Sequence, residues 1–194
     1  QKRHSKREKV ELSTGAATNV TINAGNGDDT INLGDAANPL DGLAGSITVN
    51  VDAGTADFVY VNDQASVAGN TYTLAGAATT RTGGLAVNHA TIEQLAVNAG
   101  SGSDTIIVTP DPIVEISVTG SDPTAPASPG DSLKVLVAGT TNPQDAAISA
   151  DSGRYTFGNR QAVNYTGIET HGGPNLLITK DDGGIGAVPS GTVA

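Results

Sequence analysis

The chain has 194 residues with no Cys, Met or Trp, two Phe, four Tyr and 25 Gly. This excludes disulfide staples and an aromatic core, so the interior has to be built from small aliphatic side chains, with Gly, Asn and Asp supplying frequent turns. Lys2, Arg3, Lys6, Arg7 and Lys9 are five of the ten basic residues, and from residue 11 onward five basic side chains face nineteen acidic ones, a net of −14 within an overall −10; such a body repels nucleic acid and anionic membranes and attracts divalent cations and basic partners.

In chain order, residues 1–11 read as a basic N-terminal tail, either a solvated leader or an electrostatic tether for an acidic neighbour or an anionic cell-surface polymer. An apolar signal-peptide core is not expected after it, nor a run long enough to span a bilayer. Alternating apolar residues then predict strands over 19–23, 30–33, 46–51, 58–61 and 71–74. Further strands are predicted over 95–97, 105–108, 114–118, 133–137 and 176–179, with 75–82 and 146–155 also extended. Gly, Asn, Asp and Pro clusters separate them, and helical periodicity is missing. Residues 117–130 carry three prolines and predict an excursion or connector, and 181–194 form a Gly-rich C-terminal tail. The repeat domain is therefore expected over 12–180.

That domain repeats itself at about 75 residues. Asn23-Ala24-Gly25-Asn26-Gly27-Asp28-Asp29-Thr30-Ile31 returns as Asn98-Ala99-Gly100-Ser101-Gly102-Ser103-Asp104-Thr105-Ile106. Val87-Asn88-His89-Ala90-Thr91-Ile92-Glu93 returns as Val163-Asn164-Tyr165-Thr166-Gly167-Ile168-Glu169, and Asp57-Phe58-Val59-Tyr60-Val61 answers Asp131-Ser132-Leu133-Lys134-Val135. The expected fold is all-β, a right-handed parallel β-helix with about three rungs per repeat and three strands around a triangular section. Tandem β-sandwich modules are the alternative, since modules of that size would also repeat. A stack that ends leaves strand edges open, which predicts capping or end-to-end self-association.

Chemistry is concentrated in the glycine-aspartate turns. Residues 24–32 and 99–107 fit the calcium nonapeptide pattern except in the first place, making Asn26, Asp28, Asp29 and Asp104 candidate Ca²⁺ ligands. A calcium site of that kind draws on adjacent nonapeptides, whereas these copies lie 75 residues apart. The competing reading makes Asp29, Asp57, Asp104 and Asp131 acceptors of backbone N–H groups at turns. Paired carboxylates among Asp57, Asp63, Glu93, Glu115 and Glu169 would suit a polysaccharide-degrading enzyme, but the recurrence of Glu93 and Glu169 after Ile92 and Ile168 points to a structural place in each layer. His4, His89 and His171 share no metal-ligand spacing, and neither a nucleophile elbow nor a phosphate loop occurs.

The segments 98–106, 130–135 and 163–169 resemble the degenerate Gly/Asp-rich repeats of large secreted bacterial surface proteins, such as those of planctomycetes, which are distantly similar to repeats-in-toxin calcium-binding sequences. The resemblance implies an extracellular, non-enzymatic repeat module in which calcium is optional. The expected function is a structural filament subunit, adhesin segment or spacer, with a calcium-binding module or a polysaccharide-degrading β-helix as alternatives.

Overall fold

The computed structural model describes residues 9–12, 19–43, 45–75, 77–123 and 129–172. The expected strand 176–179, the Gly-rich tail and most of the basic tail lie outside them. The strands are β1 (Lys9–Leu12), β2 (Val20–Gly25), β3 (Thr30–Leu33), β4 (Gly45–Val51), β5 (Phe58–Asn62), β6 (Thr71–Ala75), β7 (Ala78–Arg81) and β8 (Leu85–Ala90). They continue as β9 (Gln94–Asn98), β10 (Thr105–Val108), β11 (Glu115–Thr119), β12 (Ser132–Val135), β13 (Gln144–Ala147), β14 (Gly153–Thr156), β15 (Val163–Thr166) and β16 (Thr170–His171). One 3-10 turn, Leu40–Gly42, precedes β4. The chain is all-β, and among the described residues no helix is long and apolar enough to cross a membrane.

The strands form two mixed eight-stranded sheets. Sheet I has the order β1-β3-β5-β9-β11-β15-β14-β13 and sheet II the order β16-β12-β10-β6-β7-β8-β4-β2. Successive strands alternate between the sheets, so neighbours within a sheet are parallel except in two meanders, β6–β8 inside sheet II and β13–β15 at the end of sheet I. The expected triangular section with three strands per rung is therefore not what forms; the strands fall into two sheets. The sheets also run through both repeats, since β9 pairs with β5 of the first copy and with β11 of the second.

Register turns the period-2 pattern into apolar ladders, because residues of one parity in every strand face inward. In sheet I, Ile31 stacks on Val59, Leu95, Ile116 and Val163, and Leu33 on Val61, Val97, Val118 and Tyr165. In sheet II, Tyr72, Ile106, Leu133 and His171 form one ladder and Leu74, Val108 and Val135 another. Apart from the half-buried His171, these side chains join one hydrophobic core, and the scarcity of aromatic residues follows from the narrow space that Val, Ile and Leu fill. On other faces, Asn98 Nδ2 donates to Asn62 Oδ1 at 2.9 Å and Asn50 Nδ2 to Asn23 Oδ1 at 2.9 Å, tying neighbouring strands through side-chain amides.

The 75-residue repeat exchanges the sheets. β2 opens the first copy in sheet II, and the chain makes five passes, β2, β3, β4, β5 and the β6–β8 meander, before β9 opens the second copy in sheet I. An odd number of passes puts every element of the second copy on the sheet opposite its counterpart. One expectation is corrected inside the predicted basic tail, where residues 9–12 form β1 alongside β3.

Candidate functional site

Five strands, β5, β9, β10, β12 and β16, are each preceded by an acid whose carboxylate serves the backbone of the layer beside it. Ahead of sheet I strands, the Asp29 N–H donates to Asp57 Oδ1 at 2.7 Å and the Asp57 N–H donates to Glu93 Oε2 at 2.8 Å. Ahead of sheet II strands, the Asn70 N–H donates to Asp104 Oδ1 at 2.7 Å, Asp104 N–H to Asp131 Oδ1 at 2.7 Å, and Asp131 N–H to Glu169 Oε2 at 2.6 Å. A backbone N–H leaving a turn has no ladder partner, and a short acid one layer away supplies it. Each ladder ends on a glutamate, Glu93 in sheet I and Glu169 in sheet II. Gly120 makes room for this packing, since a Cβ there would collide with the Asp131 carboxylate and with the Gly167 carbonyl.

These carboxylates are deeply placed: Asp29, Asp57 and Asp131 are 0% exposed and Asp104 1%. Burial pushes Asp131 up to about 7, reinforced by the charges of Asp104 and Glu169 and opposed by the Asp104 N–H. Burial likewise pushes Asp104 up to about 6, against the pull of the Asn70 and Gly100 N–H groups. Asp57 is raised in the same way. Asp57 Oδ2 and Asp131 Oδ2 are buried without a hydrogen-bond partner, which is where a proton is favoured.

The sequence-predicted calcium ligands do not form one constellation. Asn26 is exposed, and Asp28 Oδ1 accepts from Thr55 N at 3.0 Å and Thr55 Oγ1 at 3.2 Å. Asp29 leads into sheet I beside Asp57, whereas Asp104 leads into sheet II beside Asp131. Among the described residues no group of three or more His, Cys, Asp or Glu side chains could hold a metal ion. The acids considered for sugar chemistry are dispersed too, Asp57, Glu93 and Glu169 to the ladders and Glu115 to an outer face, where it accepts from Asn164 Nδ2 at 2.9 Å.

Asp63 belongs to a different construction, which anchors the β6–β8 meander. Its Oδ2 accepts from Tyr72 OH and Arg81 Nε, both at 2.6 Å, and its Oδ1 from Leu40 N at 2.8 Å. Arg81 also reaches Asp41 Oδ1 at 2.7 Å. Burial works against the Arg81 charge, but the hydrogen bonds to Asp63 and Asp41 outweigh it and hold the guanidinium more firmly protonated. Burial and the Asp63 carboxylate push the Tyr72 phenol well above its ordinary range.

A second polar cluster lies at the end of the core, on the residues that complete both apolar ladders. Tyr165 OH donates to Asp145 Oδ1 at 3.0 Å and Tyr155 OH to the Gly172 carbonyl at 2.5 Å. His171 Nδ1 lies 3.3 Å from Asp145 Oδ2, 3.4 Å from Tyr155 OH and 3.5 Å from Tyr165 OH. The tyrosines are buried, and Asp145 and His171 keep 12% and 18% of their side-chain surface open. A Cβ at Gly153 would strike the Tyr165 hydroxyl, so glycine lets that ring lie across β14. Burial and Asp145 push both phenols up. Sequence reasoning missed this group because its four members are spread over 27 residues without ligand spacing. The signal that locates it is the internal repeat, which places Tyr165 where the first copy has His89.

On the outer face of sheet I, Phe58 and Tyr60 stack with centroids 6.2 Å apart and line a shallow groove with Thr30 and Ala56. It lacks the paired acids that glycoside hydrolysis needs. No protein-family model, curated protein or solved structure matches the chain.

Proposed function

We propose that this chain is a non-enzymatic β-solenoid segment of a secreted or cell-surface bacterial protein, acting as a spacer, adhesin segment or filament subunit. The supporting observation is that its recurrent acids are spent on backbone N–H groups between layers, which holds a repeating stack together. Among the described residues the sheets end at β1 and β13 and at β2 and β16, and an edge strand offers unpaired N–H and C=O groups to another copy. Contact between one end and a different end does not close, so it propagates. The basic residues Lys2, Arg3, Lys6, Arg7 and Lys9 strengthen that contact by meeting an acidic neighbour.

Electron microscopy and sedimentation at low and high salt test this reading. Rows of copies that shorten as salt rises are expected; a monomer under all conditions refutes the filament. Because the ladder acids serve backbone N–H groups, millimolar Ca²⁺ or a chelator is expected to leave the thermal midpoint unchanged. A midpoint that rises with Ca²⁺ would instead establish the calcium-binding module. Turnover on a panel of glycans is expected to be nil.

A further inference from the structure

We propose that Tyr155, Tyr165, Asp145 and His171 form a binding site for a hard trivalent cation, ferric ion being the one whose chemistry fits. The site is independent of the scaffold reading above.

The first argument is convergence. His171 Nδ1 has Asp145 Oδ2, Tyr155 OH and Tyr165 OH at 3.3, 3.4 and 3.5 Å, and Tyr165 OH lies 3.0 Å from Asp145 Oδ1. A cation with bonds of about 2.1 Å sets its ligand atoms about 2.9 to 3.4 Å apart, the spacing of adjacent corners of an octahedron or tetrahedron around it. The spacing here is already near that of a coordination shell. The Gly172 carbonyl, 2.5 Å from Tyr155 OH, adds a neutral oxygen at the rim. Asp145 and His171 leave the group open to solvent on one side, which supplies an entry path.

The second argument comes from the internal repeat. In the first copy, pairing aligns Leu74 with Thr79 and Thr79 with Val87; in the second, Asp145 with Tyr155 and Tyr155 with Val163. Since Val163-Asn164-Tyr165 answers Val87-Asn88-His89 and Glu169 answers Glu93, the equivalents of Asp145, Tyr155, Tyr165 and His171 are Leu74, Thr79, His89 and Leu95. Leu74 and Leu95 are ordinary core residues. The fold thus accepts aliphatic side chains at two of these positions, and the second copy carries a carboxylate and an imidazole there instead. Placing Asp and His at a core position beside two tyrosines weakens apolar packing without serving the backbone, unlike the ladder acids.

The donor set selects the ion. Two phenolates and one carboxylate supply three negative charges, which a trivalent cation neutralises, and the phenolates are hard, strongly basic oxygen donors. Each phenol gives up its proton as its oxygen bonds to the metal. Calcium, which prefers six to eight oxygens, is poorly served by so compact a set containing nitrogen.

The test adds ferric nitrilotriacetate to the purified full chain, removes excess chelate by desalting, and measures retained iron and the visible spectrum. About one iron per chain is expected, with a broad visible absorption band from phenolate-to-iron charge transfer. Tyr155→Phe and Tyr165→Phe each weaken retention at least tenfold and diminish the band, His171→Gln weakens retention, and Tyr60→Phe changes neither. Circular dichroism checks folding, and if a tyrosine variant misfolds, the wild-type chain and His171→Gln decide. Absence of retained iron in the wild-type chain overturns the proposal, as does a band that survives in the folded Tyr155→Phe, Tyr165→Phe double variant, or retention of zinc in preference to iron.

Discussion

Asp131 donates its own N–H to Glu169 and accepts that of Asp104, while its second oxygen is buried without a partner. A carboxyl in that setting is favoured neutral in the fold, with its pKa at about 7, and Asp104 follows at about 6. The folded state therefore holds more protons than the unfolded chain between the ordinary carboxylate range and those values, so stability falls as pH rises through them. This is the reverse of ordinary acid denaturation. Thermal melts are expected to show a higher midpoint at pH 5 than at pH 8. Asp131→Asn keeps an acceptor for the Asp104 N–H but cannot ionise, so it flattens the profile, raising the midpoint mainly at pH 8. Asp131→Ala strands that N–H and costs about 1–3 kcal/mol at either pH. A midpoint that climbs from pH 5 to pH 8 would rule out this account. Arg81 makes a second case: Arg81→Met leaves the fully buried Asp63 charge without its cation, at a cost of about 3–5 kcal/mol in a denaturant titration. Pairing it with Asp63→Asn recovers part of that loss, because the charge disappears with its partner.

At the scale of elements, the two meanders decide where each sheet ends. β6–β8 is inserted between parallel neighbours, since β6 pairs with β10 and β8 with β4, so its edges are covered. Among the described residues β13–β15 pairs only through β15 to β11, which leaves β13 as the edge strand of sheet I. Its residues Gln144, Ala146 and Ala147 are exposed, and Ile148 just beyond it is 82% exposed. An edge whose exposed residues carry no charge, beside a bare isoleucine, is a surface for pairing rather than one protected by outward charge. Ile148→Lys is expected to shorten or abolish end-to-end assemblies in sedimentation while leaving the midpoint of the monomer unchanged. Assembly unaffected by this change would place the contact elsewhere.

For the whole molecule, the repeat, most of the strands and the turn acids were legible in the sequence for a local reason, whereas β1, β8 and β15 were not among the predicted strands. Strand alternation is a period-2 pattern within a few residues, and the recurrence of Glu93 and Glu169 marked them as parts of a layer, which is how they act. An all-β chain with Val, Ile and Leu inside followed from composition and alternation alone. What the sequence left open depends on counting passes through space. That the strands fall into two sheets rather than three is set by pairing between distant strands, and the transfer of every second-copy element to the opposite sheet follows from the odd number of passes per repeat, which no local pattern records. For the same reason Asp29 and Asp104, alike in sequence, part company onto different sheets, while Asp145, Tyr155, Tyr165 and His171, which share no motif, meet at one point. Local chemistry sets what each residue can do; the pairing of strands distant in sequence sets which residues do it together.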